Sequence, residues 1–250
     1  MAAPHPALRG HVLHYCGYRE DGPIARREVA TPAVTVIFAF GSSIEVDGER
    51  FGSFVAGLDA GFSDTRHSGR QHGLEVKLAP FAVRSLLGVP ARELAGRVVP
   101  LDALLGSELT ERLALAPGWP ERFRLLDAAF AQRVRRPPDD VLFAWRRLAA
   151  AHGGVAIAGL AAELGWSRRH FGERFREHVG LAPKPAARVL RFRRALALLE
   201  RDDGARLAEI AADCGYYDQA HLNRDFRAFA GSAPGEHLGR RLPEGGVAAA

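Results

Sequence analysis

Cysteine is nearly missing from this chain: Cys16 and Cys214 are the only two. That excludes a disulfide framework and a cysteine-built zinc site. Lysine is as scarce, with Lys77 and Lys184 alone among 34 Lys and Arg residues. The abundance of arginine therefore reads first as compositional bias. Long apolar runs are absent. The best, Ala33 to Phe40, is strand-sized and far short of the roughly 18 residues a membrane helix needs. Met1 to Arg9 carries Pro4 and Pro6 and no apolar stretch, so no secretory signal is expected and the cytoplasm is the simplest location. No nucleophile triad, phosphate-binding glycine loop or paired-carboxylate arrangement stands out, so no catalytic residue and no cofactor are expected. What is there, 250 residues with 47% hydrophobic and 25% charged, is globular composition with room for one large domain or two smaller ones.

The first third reads as β. Val12 to Tyr18, Val34 to Phe40, Ser43 to Val46, Phe51 to Gly57 and Leu74 to Leu78 are short strand-like runs punctuated by Gly41, Asp47-Gly48 and Gly61. Their spacing predicts a small barrel or sandwich. After Pro80 the pattern turns helical, over Phe81 to Leu87, Leu101 to Leu115 and Pro120 to Val134. Arg135-Arg136-Pro137-Pro138 marks the domain boundary, because proline pushes its predecessor out of the helical region. Asp139 and Asp140 then open a helix that His152-Gly153-Gly154 closes. The expected division is 1–136 and 137–250.

The net charge of +5 with a pI near 9.7 hints at a polyanionic partner. Location says more: residues 168–194 hold nine Arg and Lys against Glu173 and Glu177. A solvated helix face would give the same count. A repeat separates the two readings. Leu160, Ala161, Gly165 and Trp166 recur as Ile210, Ala211, Gly215 and Tyr216, fifty residues on. Phe171, Phe175, Arg176, Gly180 and Pro183 recur as Leu222, Phe226, Arg227, Gly231 and Pro234, fifty-one residues on. Each copy is a short helix, a glycine where the turn needs positive φ, an aromatic, a polar cap (Ser167 or Asp218) and a second helix. That is the helix-turn-helix plan, whose second helix enters the major groove. Between the copies Ala186 to Leu199 is one uninterrupted helix with Pro185 at its start.

Two such motifs in register with a basic connecting helix resemble the AraC/XylS family of bacterial transcription regulators. The second copy is especially similar, at Ile210-Ala211, Cys214-Gly215-Tyr216, Asp218-Gln219, Leu222, Arg224, Phe226, Gly231 and Pro234. Arg191, Ala195, Leu198 and Leu199 match the connecting helix, and Ala186 stands where the family usually has an aromatic. The resemblance implies an α+β chain: a cupin-like β sensor domain with trailing helices, then an all-α reader of two helix-turn-helix subdomains joined by a linker helix. It implies double-stranded DNA as partner, read in two successive major grooves, with a small-molecule effector. The rest of the N-terminal 150 residues resembles the cupin-like sensors of such regulators more loosely.

Helix geometry selects the candidate base readers. Phe171 and Phe175 face inward on the first recognition helix, leaving Arg169, Gly172, Glu173 and Arg176 outward. Leu222, Phe226 and Phe229 face inward on the second, leaving Ala220, Asn223, Arg224 and Arg227 outward. Arg168, His170, Gln219 and His221 flank these at the N-terminal turns, which enter deepest. Arg169 and Arg224 suit guanine, Asn223 or Gln219 suits adenine, and Glu173 suits a cytosine amine. Glu173 also lies four residues from Arg169, the spacing of a plain intrahelical ion pair. Arg176 and Arg227 sit one turn further, where phosphate is the expected contact, and Arg188 on the connecting helix is assigned to phosphate as well. Arg191 either touches DNA or holds the connecting helix to a subdomain.

In the sensor half His67, His72 and Glu75 form the one metal-ligand cluster, with a spacing that fits no particular motif, so no metal site is expected. Cys16 with His14 is either a reactive thiol or inert core, and Cys214 is expected in the helical core. Phe38, Phe40, Phe51 and Phe54 line a pocket or fill a core; alternation does not distinguish the two. Pro120 to Val134 is either a homodimer surface or a core helix, which look the same in sequence. The rival reading is an enzyme, a metal-dependent cupin-like catalyst with an accessory helical domain; a protein-interaction module is a third.

Overall fold

A computed structural model describes residues 3–201, 206–240 and 247–248. Its N-terminal part holds two antiparallel sheets. The first orders its strands β1 (Val12–Glu20), β8 (Gln71–Leu78), β3 (Val34–Ala39), β6 (Phe54–Ala56) and β9 (Val98–Pro100). The second orders β10 (Val247–Ala248), β2 (Ile24–Glu28), β7 (Ser63–His67), β4 (Ile44–Val46) and β5 (Glu49–Phe51). These are two open sheets rather than a closed barrel; the strand spacing allows a barrel or a sandwich.

Period-2 alternation gives the first sheet two unlike faces. Val34, Val36, Phe38, Leu74, Val76 and Leu78 are buried on one side. Thr35, Ile37, Glu75 and Lys77 occupy the other and line a cavity between the sheets. β1 keeps both Val12 and Tyr15 inside because a register shift between Val12 and His14 inserts one residue. β2 and β7 escape a sequence reading because they are written IARRE and SDTRH. Arg27 of β2 bonds Asp64 of β7, and Arg26 and His67 both bond Glu20 of β1.

The helices are α1 (Val83–Leu87), α2 (Ala91–Leu94), α3 (Asp102–Leu105), α4 (Glu108–Leu115) and α5 (Trp119–Arg133), then α6 (Asp139–Ala150), α7 (Ile157–Glu163), α8 (Arg168–Val179), α9 (Pro183–Leu199), α10 (Leu207–Asp213), α11 (Gln219–Ala230) and α12 (Pro234–Gly239). The run expected as one helix over Leu101 to Leu115 is broken at Gly106, whose φ is 71°. The connecting helix begins at Pro183, three residues before the expected start, since the first turn tolerates proline's missing N–H. α12 was not anticipated. Within α5, Leu126 and Phe130 are fully buried and the Phe123 ring stacks on Tyr15, so the apolar face suggested for a dimer is core.

The largest apolar cluster runs from the first sheet through α1, α2, α5 and α6 into α7 and α8. A second surrounds α9, α10 and α11, and takes in Ala30 from the end of β2. The chain division at residue 137 therefore does not divide the core.

Candidate nucleic-acid interface

The repeat is reproduced at both turns by the same kinds of contact. Gly165 and Gly215 hold φ at 69° and 71°, with nothing within 4 Å of where a side chain would start. Backbone conformation, not crowding, is what requires glycine there. The caps follow: Ser167 Oγ accepts the His170 N–H at 3.2 Å, and Asp218 Oδ1 accepts the His221 N–H at 2.6 Å. The turn aromatic then meets that histidine edge-on, Trp166 with His170 at 4.7 Å and Tyr216 with His221 at 5.0 Å. Each histidine is thereby packed against its own turn, at the mouth of its helix.

Both recognition helices bury the expected face: Phe171, Phe175 and Val179 on α8; Leu222, Phe226 and Phe229 on α11. Arg168, Arg169, His170, Glu173 and Arg176 lie exposed on α8. Gln219, Ala220, Arg224 and Arg227 lie exposed on α11, with His221 half-buried. Arg169 Nε donates to Glu173 Oε1 at 2.9 Å, so the intrahelical pair does form. Arg224, Arg227, Arg168 and Arg176 show no ion pair with any described residue. Asn223 is half-buried with Oδ1 shielded and without a hydrogen bond. Bidentate pairing with adenine requires that amide to turn outward. Tyr217, 94% exposed beside the α11 cap, was passed over in the sequence. The Tyr216-Tyr217 doublet was its signal: only one of two adjacent aromatics can pin a turn.

Two arginines of the linker prove to be structural supports. Arg188 Nη2 donates to Asp225 Oδ1 at 2.7 Å, and its guanidinium lies 5.0 Å over the Phe229 ring. The phosphate role expected of Arg188 therefore competes with a contact that holds α9 to α11. Arg191 covers the Tyr216 ring at 5.5 Å, which places it with the subdomain. Burial, with the Asp225 carboxylate nearby, raises the Tyr216 phenol pKa, and burial also raises that of the Cys214 thiol, so both stay neutral.

The end of β2 grips the second motif. Ala30 N–H donates to Phe229 C=O at 2.9 Å, and Arg27 reaches Gly231 C=O at 3.5 Å while covering Phe62 at 4.1 Å. Asp64 holds that guanidinium at 2.7 and 2.8 Å. A methyl group at Gly231 would collide with Arg27 and Phe62, so glycine is required there for approach as well as for φ of 68°.

In the sensor half, His67 donates through Nε2 to Glu20 Oε2 at 2.6 Å and through Nδ1 to Gly69 C=O at 2.9 Å, while His72 meets Phe40 edge-on. Among the described residues no three metal-capable side chains converge. Cys16 and Phe54 line the cavity, Phe38 is core, and Cys214 is buried. No described helix is long and apolar enough to cross a membrane.

Two family models and several solved structures match the chain. A helix-turn-helix domain family model matches residues 160–240, and a domain family of unknown function (DUF6597) matches residues 1–100. Among solved structures, ToxT from Vibrio cholerae bound to (E)-4-(8-methylnaphthalen-1-yl)but-3-enoic acid is 13% identical with a TM-score of 0.50, over 90% of this chain and 97% of that one. Wild-type ToxT with an unsaturated fatty acid is 13% identical at TM-score 0.49, over 95% and 97%. The DNA-binding domain of the global transcriptional factor AdpA, in complex with a target DNA, is 31% identical over 41% of this chain and 92% of that one, at TM-score 0.38. No curated protein matches.

Proposed function

Given that the chain belongs to the AraC/XylS family of DNA-binding transcription regulators, we propose that it reads a two-part DNA site with α8 and α11 of one protomer, under control of a small molecule held between its sheets. The observation that carries the reading is the pair of helix mouths built from the same contacts. Equivalent glycine turns, caps and aromatic–histidine contacts present two outward faces of the same geometry. In this assignment Arg169 and Arg224 bond guanine, and Glu173, Gln219 and Asn223 are the further base readers. Arg168, His170, His221, Arg176 and Arg227 hold the phosphates at the helix mouths and flanks. Arg188 acts as a positioning residue whose pair with Asp225 sets the attitude of α11. Residues 1–136 act as sensor and 137–250 as reader. ToxT, which shares the fold, accepts a small organic acid, and that supports an effector here.

Binding-site selection from a randomised duplex pool tests the reading. Two preferred stretches about 10 base pairs apart are expected. Affinity should fall with salt at a log–log slope of roughly −5 to −7, if about 6–8 phosphates are neutralised. A single short preferred stretch overturns the tandem reading, and a slope near zero removes DNA as the ligand.

A further inference from the structure

The cavity between the sheets has a volume of about 600 Å3, the size of a small-molecule site. It is also a joint between the two halves, because Arg193 and Leu196 of α9 and His237 of α12 complete its wall. Most of its charges are matched. Arg26 and His67 bond Glu20, Arg27 bonds Asp64, Lys77 lies 2.9 Å from Glu75 and donates to Thr35, and His237 lies 3.7 Å from Glu200. Asp59 sits at the β6–β7 loop in contact with solvent.

Besides Asp59 on its loop, two charged side chains in the wall have no such match among the described residues. Glu28, at the end of β2, makes no hydrogen bond or ion pair. Water can enter and touch it, yet protein surrounds it closely enough that lost hydration holds its carboxyl above the ordinary range, against the pull of Lys77 and Arg26. Arg193 on α9 likewise makes no hydrogen bond or ion pair; burial, the larger influence, lowers the pKa of its guanidinium, against the pull of the nearby Glu200 carboxylate. A charge without a protein partner in the wall of a cavity can be matched by a ligand charge of opposite sign. Glu28 is the unmatched acid on a sensor strand, Asp59 the one on a loop, and Arg193 the unmatched base on the linker helix.

We propose that this cavity binds a small zwitterion, its ammonium against Glu28 and its carboxylate against Arg193, so that the ligand bridges sensor and linker helix. This rests on the reading that the β domain takes an effector, and it names the chemical class. A ligand with a carboxylate alone would leave Glu28 without a partner. The bridge also bears on DNA reading. Glu28 lies between Arg27 and Ala30, whose bonds to Gly231 and Phe229 hold the C-terminal end of α11. A ligand that ties β2 to α9 tightens that grip.

Calorimetric titration of the full-length protein with ω-amino acids, from glycine to aminooctanoate, tests the proposal. Alkylamines and alkylcarboxylates of matching length serve as half-probes. At least one zwitterion should bind once per chain, with both matching half-probes about ten-fold weaker or worse, the loss of one charge contact. Glu28→Gln and Arg193→Gln should each lower its affinity by about ten-fold or more, while Arg193→Lys, which keeps the charge, should stay closer to the unaltered protein. Unliganded variants should melt as the parent does. Should Arg193→Gln melt early, Glu28→Gln and Arg193→Lys decide. Failure of the whole series to bind, equal binding of a carboxylate half-probe, or indifference to both charge-removing substitutions overturns the proposal. Selection of a two-part duplex by the same preparation would then leave the DNA reading standing, and this inference alone would fall.

Discussion

The two helix-turn-helix copies have the same local design and opposite surroundings. The first is fused to the sensor half: Leu160, Phe171, Phe175 and Val179 belong to the apolar cluster that begins in the first sheet. Glu177 of α8 also takes Arg84 and Arg92 from the α1–α2 region. The second keeps its own core with α9 and touches the sensor mainly through the end of β2. A corresponding charge swap separates them. Arg174 and Asp225 are repeat equivalents, fifty-one residues apart, and each bonds the helix that precedes its copy. Arg174 takes Asp140 of α6, whereas Asp225 takes Arg188 of α9. Identical motifs can thus be held rigidly by an apolar interface or adjustably by a polar one. Apolar contact is non-directional and distributed, while a few hydrogen bonds can be broken singly. The second copy is the one placed to respond to the sensor.

The sharpest way to break this comparison is the charge pair. Asp225 is 2% exposed and its loss leaves Arg188 half in protein, so Asp225→Ala should destabilise the second copy by about 2–3 kcal/mol, the low end for a broken buried pair. Arg174→Ala, whose partners are both more accessible, should cost the first copy about 1 kcal/mol. Chemical denaturation followed by hydrogen exchange in α8 and α11 reads both; equal losses would erase the asymmetry.

Base reading should divide the same way. Arg224→Ala should cost about 1–3 kcal/mol of binding on the preferred site and relax preference at its own base pair. Arg169→Ala should cost less, below about 1 kcal/mol, because Arg169 already bonds Glu173 and an exposed pair of this kind is worth little by itself. Quantitative binding to single-position variants of the selected site checks this. Relaxation of the same base pair by both would defeat the tandem assignment.

Where the copies are locally alike they should respond alike. Gly165→Ala and Gly215→Ala should each cost about 1 kcal/mol, the strain of a β-carbon at positive φ, since open space surrounds both. Unequal thermal shifts would show that one turn is held by something other than its backbone.

The smallest effect expected is on acidification. The Arg27 hydrogen bond holds the Asp64 carboxyl below its ordinary pKa. A depressed folded pKa means stability that is present above the ordinary value of about 3.9 and lost as pH falls through the lower folded one. Below about pH 4 the grip of β2 on α11 should therefore loosen, while the apolar attachment of α8 should not. Exchange of the Ala30 amide against pH, compared with α8 amides, measures it.

The sequence by itself determined the parts whose physics is local. A glycine turn, a capping side chain and an apolar face at helical spacing are set within about a dozen residues. Both reading helices, their inward phenylalanines and the repeat that relates them were therefore legible. The strands with charged sequences, β2 and β7, were not, because their pattern makes sense only once Arg27 has Asp64 and Glu20 has Arg26 and His67 across the sheet. The tertiary structure alone decided that Arg188 holds α11, that Asn223 has its amide oxygen turned inward, and that Glu28 and Arg193 share one cavity. Ion pairs and cavities join residues distant in the chain, and charge carries no periodicity that names its partner.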